Sequence, residues 1–271
     1  MHRTLRLSPD GKRLAVSEGG VAANIFVYDL ATQASMRLTF GAGEGDTSPV
    51  WLPDGQWIAY GKHETRKNYA MHRKRADGSG GDELLSAFSR DRIPLSWSSD
   101  GRYLLYSEGS LGAGDIGALP LFGGRKPFLV VALGADSYNG QFSPDNRWVA
   151  YTSVQGGDQQ VYVTSFPDHA NTWQVTTKGC TEPRWNPHGH ELFFCISSDN
   201  HLMSVDVDGR SSSFQVGAAR PLFAAPLHTS TCNMWSHDVT GDGQRFLFAA
   251  DASSSEASSL TIVVNWVPTA K

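Results

Sequence analysis

The chain has 271 residues, of which 40% are apolar and 18% are charged, and its formal net charge is −4. This composition is ordinary for a globular protein, and the mild acidity argues against a chain built to coat nucleic acid or anionic membranes. No apolar run is long enough to span a membrane, and the N-terminal segment lacks the apolar stretch of a signal peptide. The three cysteines form no CxxC pair and are odd in number, so we expect small buried side chains rather than a disulfide framework.

A four-residue turn signature recurs along the chain. In order it reads SPDG, LPDG, SSDG, SPDN, NPHG and TGDG, and its last residues are Gly11, Gly55, Gly101, Asn146, Gly189 and Gly243. The intervals between these ends are 44, 46, 45, 43 and 54 residues. Pro fixes a negative φ at the first corner, Asp bonds the local backbone, and Gly or Asn accepts the left-handed position. Each copy therefore predicts a tight turn between two strands.

The segments on either side of each turn read as β-strands. The slot just before the turn is mostly aromatic, and it holds Leu7, Trp51, Trp97, Phe142, Trp185 and Val239. After the turn comes a strand with successive apolar residues, from RLAVS in the first copy to FLFAA in the last. A strand that is apolar on both faces lies between two other layers.

Further strands complete most copies of the repeat. A third strand is predicted at NIFVYDL, YAMHRK, QVYVTSF, HLMSVDV and LTIVVNW, and a fourth at MRLTF and WQVTT. Four strands per repeat of about 45 residues predict an all-β fold. We expect one domain over residues 1–271, a six-bladed β-propeller of four-stranded antiparallel blades. The last copy shows no fourth strand, so its blade is expected to have three strands or to involve a rearrangement of residues 1–5.

The repeated pattern resembles that of the TolB-like, WD-repeat-like propellers of bacteria over essentially the whole chain. The second copy (SPVWLPDGQWIAYGK) and the fourth (GQFSPDNRWVAYTS) match best. The segments HDVTGDGQRFLF and LTIVVNW are similar to the end of the propeller that follows a membrane-anchored serine/threonine kinase in some bacteria. The chain carries no kinase motif. The resemblance implies a non-catalytic binding or sensor module with a ligand or protein partner at the channel mouth. It also implies an extracytoplasmic fragment of a longer protein.

The innermost strands of a propeller face a central channel, so their polar residues are candidates for a site. One column, directly before the aromatic slot, consists of Arg6, Val50, Ser96, Gln141, Arg184 and Asp238. A second column, two residues further back, consists of Thr4, Ser48, Pro94, Asn139, Glu182 and Ser236. Period-two alternation directs both columns to the channel. The ligand-binding candidates are Arg6, Asn139, Gln141, Glu182, Arg184 and Asp238.

Blades five and six are expected to bring four of these polar side chains together. Glu182, Arg184, His237 and Asp238 would converge, with Asp46 and Asp136 near the same mouth. Arg6 and Arg184 could bind an anionic group. Carboxylates and an imidazole could hold a divalent metal ion, with Glu182, His237 and Asp238 as its candidate ligands. Mutual ion pairing within the cluster is the structural alternative.

Three functions stay open from the sequence: the binding module, an inert scaffold and a metal-dependent hydrolase. The hydrolase would act on esters or phosphotriesters in the channel, as some six-bladed propellers of other families do. No GxSxG, HExxH or P-loop motif occurs. The HGH turn (His188, His190) and the basic stretch 62–75 are interpreted as exposed surface. We expect a monomer with no nucleic-acid partner.

Overall fold

Twenty-two β-strands and the turns between them make up the described part of this computed structural model. The described residues are 4–19, 22–41, 45–63, 68–86, 90–109, 113–124, 126–196, 201–210, 213–225, 235 and 237–248. Within these ranges there is no α-helix, and none of their segments could cross a membrane as a long apolar helix.

Five sheets each contain four antiparallel strands that follow one another in sequence. Blade one is β1 (Leu5–Leu7), β2 (Arg13–Glu18), β3 (Asn24–Asp29) and β4 (Ser35–Arg37). Blade two is β5 (Asp46–Trp51), β6 (Trp57–His63), β7 (Tyr69–Arg75) and β8 (Glu83–Ser86). Blade three is β9 (Arg92–Trp97), β10 (Tyr103–Glu108), β11 (Asp115–Pro120) and β12 (Phe128–Val131). Blade four is β13 (Ser137–Phe142), β14 (Trp148–Ser153), β15 (Gln160–Ser165) and β16 (Thr172–Gln174). Blade five is β17 (Cys180–Trp185), β18 (Glu191–Ile196), β19 (His201–Asp208) and β20 (Gln215–Ala224).

A sixth sheet contains two strands among the described residues, β21 (His237–Val239) and β22 (Phe246–Phe248). The predicted third strand of this sheet, residues 260–266, lies outside them. The prediction of four-stranded antiparallel blades is therefore confirmed for five blades, with a partial sixth sheet beside them.

The first strands of the six sheets contact one another in a ring. β1 contacts β5, β5 contacts β9, and the contacts continue through β13 and β17 to β21, which returns to β1. At this return, the backbone N–H of Leu7 donates a 2.8 Å hydrogen bond to Oδ2 of Asp238. Leu247 of the sixth sheet packs with Leu5 and Leu14 of blade one. The two sheets that are farthest apart in sequence are thus neighbours in space.

All six predicted turns are confirmed. Their last residues have left-handed φ values between 60° and 81°, with Asn146 at 60° taking the place of glycine. In each turn this residue donates its backbone N–H to the carbonyl three residues earlier, as Gly11 does to Ser8 at 2.8 Å. The turn chemistry therefore sets the register between the first two strands of every sheet.

The second strand of each four-stranded blade is buried on both faces, as predicted. In blade one, Leu14, Ala15 and Val16 are all fully buried. The slot tryptophans lie between blades: the indole N–H of Trp51 donates to the carbonyl of Arg6 at 3.0 Å. Trp185 does the same to Gln141 at 3.2 Å. Packing between blades is thus combined with a repeated hydrogen bond from ring to backbone.

Candidate functional site

A cavity of about 300 Å³ lies at the end of the channel where the turns are found. One residue from each innermost strand lines it, and these are Arg6, Val50, Ser96, Gln141, Arg184 and Asp238. The slot residues Leu7, Trp51, Trp97 and Val239 and the turn prolines Pro9, Pro53 and Pro187 also contribute to the wall. The first sequence column therefore lies where period-two alternation places it.

The second column lies outside the cavity wall. Asn139 and Glu182 are buried, and each has a left-handed backbone, with φ of 53° and 57°; Ser48 has the same conformation at 54°. The strand register shifts at each of these positions, which marks a β-bulge. A bulge adds one residue to a strand and redirects its side chain. Asn139 and Glu182 therefore do not line this cavity, and their expected role in ligand binding stays a prediction.

Two aspartates expected near the same mouth are at the other end of the innermost strands. Asp46 begins β5, whereas the cavity lies at Trp51, where β5 ends. Asp136 directly precedes β13 and is exposed. Burial raises the pKa of the Asp46 carboxyl above its ordinary value. Neither aspartate can share a ligand with the cavity residues.

Arg184 and Asp238 form the predicted ion pair. Arg184 is 2% exposed, and its Nε lies 3.7 Å from Oδ1 of Asp238. The guanidinium also donates to the carbonyl of His237, from Nε at 3.2 Å and from Nη2 at 2.9 Å. Burial lowers the pKa of Arg184 to about 10, so the group stays charged at neutral pH. Two of the five N–H donors of Arg184 are therefore engaged by the carbonyl of His237.

Arg6 is the less engaged of the two cavity cations. Its Nη1 donates a long 3.3 Å hydrogen bond to the carbonyl of Leu5, and it forms no ion pair with any described residue. Trp235 lies under both guanidinium groups, 4.5 Å from Arg6 and 3.6 Å from Arg184 as measured to the ring centroid. Cation–π contacts of this kind hold cations in place without neutralising them. The wall thus carries two guanidiniums and one carboxylate.

Sequence reasoning did not identify Trp235 as part of this site. The available signal was an aromatic residue just before the inner-strand residues in the segment MWSHDV. The repeat does not predict that Trp235 lies beneath two guanidinium groups, because the aromatic slot of each copy is at the end of the inner strand, whereas Trp235 precedes that strand.

A second polar cluster lies behind the cavity wall, between blade five and the sixth sheet. Nδ1 of His237 is 3.2 Å from Oε2 of Glu182 and 3.6 Å from Sγ of Cys195. All three residues are buried, and their three ligand atoms lie within 4.8 Å of one another. Asp238 is not a member, because successive strand residues face opposite sides and Asp238 faces Arg184. Cys195, and not Asp238, therefore lies together with Glu182 and His237, and metal binding at these residues stays a prediction.

Cys195 was interpreted from the sequence as a small buried side chain. It is a buried thiol that forms no disulfide among the described residues. Cys180 is buried as well and its Sγ donates to the carbonyl of Lys178, whereas Cys232 lies outside the described residues. Burial raises the pKa of the Cys195 thiol well above its ordinary value, and the Glu182 carboxylate adds to this effect. The pairing of β17 with β18 places Cys195 opposite Thr181, one residue from Glu182.

Two other sequence features lie away from the cavity and from the second cluster. His188 and His190 are exposed on the HGH turn. In the basic stretch, Lys62 pairs with Asp82 and Arg73 with Glu83. These ion pairs within blade two neutralise part of the positive charge that the sequence shows.

Comparison of the sequence with protein-family models and with curated proteins gives no match. The fold is similar to that of a TolB-type protein from Agrobacterium tumefaciens, with a TM-score of 0.65, 20% identity, and coverage of 82% of this chain and 80% of that one. TolB from Acinetobacter baumannii gives a TM-score of 0.64 and 18% identity over 93% of this chain, which spans 58% of that protein. An oligogalacturonate lyase in complex with manganese gives a TM-score of 0.59 and 16% identity, and the match covers 91% of this chain and 70% of the lyase.

At these identities the likeness concerns the fold, and it includes both TolB propellers and an enzyme. The resemblance to the propeller that follows a bacterial kinase stays a prediction. The chain has the fold of the TolB-like propellers, as its repeated sequence predicts.

Proposed function

We propose that this protein is a recognition module whose central cavity binds an anionic group, in the first place a carboxylate. The observation that carries the proposal is Arg6, a cation of the cavity wall that is held over Trp235 and has no carboxylate partner among the described residues. Arg184 adds a second positive charge, and Asp238 offsets one of the two. A guanidinium that is not already paired is well suited to a carboxylate.

The size of the cavity supports a small anionic group. A volume of about 300 Å³ lies at the lower end of the range for small-molecule sites. It suits a small organic acid, or the acidic side chain or chain terminus of a protein partner that covers the mouth. The resemblance to TolB-like propellers implies partner binding across this mouth, and we extend that mode to this chain.

We further infer that the sixth sheet is the sixth blade of the propeller. Its β21 contacts both β17 and β1, so it occupies the place of one blade between blade five and blade one. Six innermost strands then supply the six wall residues of the cavity.

A metal-dependent hydrolase of esters or phosphotriesters is the alternative. Its support is the Glu182–Cys195–His237 cluster and the presence of enzymes among propellers of this fold. The geometry favours binding instead, because the cluster is buried behind the wall and has no surface in the cavity.

The test uses a display library of peptides with free carboxyl termini, selected on the wild-type protein. Arg6→Gln removes one of the two cavity cations, and Arg73→Gln, which removes a half-buried cation of blade two outside the cavity, is the control. A hydrogen bond to a charged group contributes about 1.5–3 kcal/mol, so binding to Arg6→Gln should weaken at least about tenfold. Binding to Arg73→Gln should not change.

Equal binding to the wild type and to Arg6→Gln would contradict the proposal, as would selection of peptides without acidic groups. An ester and phosphotriester screen with and without chelator tests the alternative. A chelator-sensitive rate of hydrolysis that is lost in His237→Ala but kept in Arg6→Gln would favour the hydrolase over the binding module.

A further inference from the structure

The cluster behind the cavity joins three strands of two sheets. Glu182 lies on β17 and Cys195 on β18 of blade five, whereas His237 begins β21 of the sixth sheet. Each contributes one ligand atom of a type that binds metal ions: a carboxylate oxygen, a thiol sulfur and an imidazole nitrogen. The cluster is separate from the proposed anion site, because none of the three lines the cavity.

The two distances from Nδ1 of His237 to the other ligand atoms match those around a tetrahedral zinc ion. Zinc lies about 2.0–2.2 Å from nitrogen and oxygen ligands and about 2.3 Å from sulfur. Tetrahedral angles then separate nitrogen from oxygen by about 3.4 Å and nitrogen from sulfur by about 3.6 Å. The corresponding distances from Nδ1 of His237 are 3.2 Å to Glu182 and 3.6 Å to Cys195. Small side-chain shifts would complete the geometry.

The chemistry of the three groups selects among metals. A thiolate ligand favours zinc, whereas manganese and magnesium prefer sets made of oxygen ligands with few or no sulfurs. We propose that Glu182, Cys195 and His237 form a zinc site that fastens the sixth sheet to blade five. A water molecule would take the fourth position, as in other sites with three protein ligands.

Two features around His237 support a ligand role. Its imidazole is fully buried, and Nε2 has no hydrogen-bond partner among the described residues. The ring stacks on Phe248 at 5.8 Å, and Arg184 holds the backbone carbonyl of His237 with two hydrogen bonds. The imidazole is therefore fixed in position, while its polar atoms are left with few partners inside the protein.

Zinc binding would change the protonation of the site. Binding displaces the proton of the Cys195 thiol, which leaves to the buffer as the sulfur bonds to the metal. Because the ligands come from both sheets, bound zinc would stabilise the contact between them by favouring the folded state.

The test measures metal binding directly, on the full chain purified with a reducing agent and stripped by a chelator. Zinc chloride is added in competition with a chromophoric chelator, and cobalt chloride is used as a spectroscopic probe. We expect one zinc per chain and a sulfur-to-cobalt absorption band in the near ultraviolet. Manganese chloride should bind at least about 100-fold more weakly than zinc.

Variants separate the site from general effects on folding. Cys195→Ser and Glu182→Gln are nearly isosteric, and each should weaken zinc binding at least about 100-fold, since even residues outside the ligand sphere are worth about 10–100-fold. Cys180→Ser is the matched control: Cys180 lies in the same sheet, but its Sγ donates to the carbonyl of Lys178 at 2.9 Å. It should bind zinc like the wild type, and near-ultraviolet circular dichroism checks that each variant is folded.

Less than stoichiometric zinc on the wild type would overturn the proposal. So would undiminished binding by a folded Cys195→Ser or Glu182→Gln variant. Both results measure only metal binding. They therefore do not bear on the proposed anion site at Arg6, which is tested separately by peptide binding.

Discussion

Replacing the slot tryptophans by phenylalanine separates the hydrogen bond of the indole from the packing of its ring. Trp51 and Trp185 each donate the indole N–H to a carbonyl of the preceding blade. Trp97 occupies the same slot in blade three, but its Nε1 is buried without a partner among the described residues. The three positions are otherwise alike, with exposed fractions of 6% for Trp51, 7% for Trp97 and 3% for Trp185. Trp97→Phe is therefore an internal control.

The expected difference follows from the hydrogen bond. All three variants lose a similar area of buried ring. Trp51→Phe and Trp185→Phe also lose a bond with a net value of about 0.5–1.5 kcal/mol, whereas Trp97→Phe removes a buried N–H whose desolvation costs about 1–3 kcal/mol. We expect the first two variants to be less stable than Trp97→Phe by at least about 1 kcal/mol.

Thermal and urea unfolding of the three variants measure this difference. For a protein of this size, 1 kcal/mol corresponds to about 2–4 °C in Tm. The urea slope m should be the same in all three, which shows that the variation lies in the folded state. Equal losses in the three variants, or the largest loss in Trp97→Phe, would refute a role for the indole hydrogen bonds between blades.

Gly117→Ala should destabilise the fold by about 1–3 kcal/mol, because a β-carbon there would lie 2.3 Å from the ring of Tyr106. Gly124→Ala, with open space around it, should stay within about 0.5 kcal/mol in urea melts, and similar losses in both would contradict the steric argument. Stability should fall as the pH drops below about 4. The hydrogen bond from the Ser8 hydroxyl lowers the pKa of Asp10 in the folded protein from its ordinary 3.8. The ionised carboxylate therefore stabilises the fold, and this contribution is lost when Asp10 is protonated. Asp10→Asn should make urea midpoints less dependent on pH in this range, and an unchanged dependence would argue against this contribution. Amide exchange should be faster in β21 and β22 than in β14, which lies inside a four-stranded blade, and the reverse order would show that the sixth sheet is as strongly held.

The repeat made much of the fold predictable. Turn residues at nearly constant spacing, such as Gly55 and Asn146, and the slot aromatics locate the first two strands of each sheet, and they also place Arg6 and Arg184 in the channel. The outer strands were harder to predict. β20, for example, is largely exposed, so it shows no alternation of apolar residues to mark it.

The second polar column could not be placed from sequence because the residues with left-handed φ in these bulges are not glycines. Asn139 and Glu182 take left-handed conformations that usually favour glycine. Their side chains therefore leave the direction that alternation predicts. Cys195 was missed for another reason: it meets Glu182 and His237 only through pairing between strands and between sheets, which no spacing along the chain reveals.

The hydrogen bond from Leu7 to Asp238 gives one side chain two duties. Asp238 is part of the cavity wall, and it also holds the meeting point of the first and last described sheets. A ligand that competed for the Asp238 carboxylate would weaken the contact between blade one and the sixth sheet. A ligand that moved Arg184 closer to Asp238 would strengthen this contact. By thermodynamic reciprocity, a force that separates the two sheets would raise the affinity for a ligand that weakens their contact and lower it for a ligand that strengthens it. A pulling force on the contact between blade one and the sixth sheet would thus change the fraction of protein that has a ligand in the cavity.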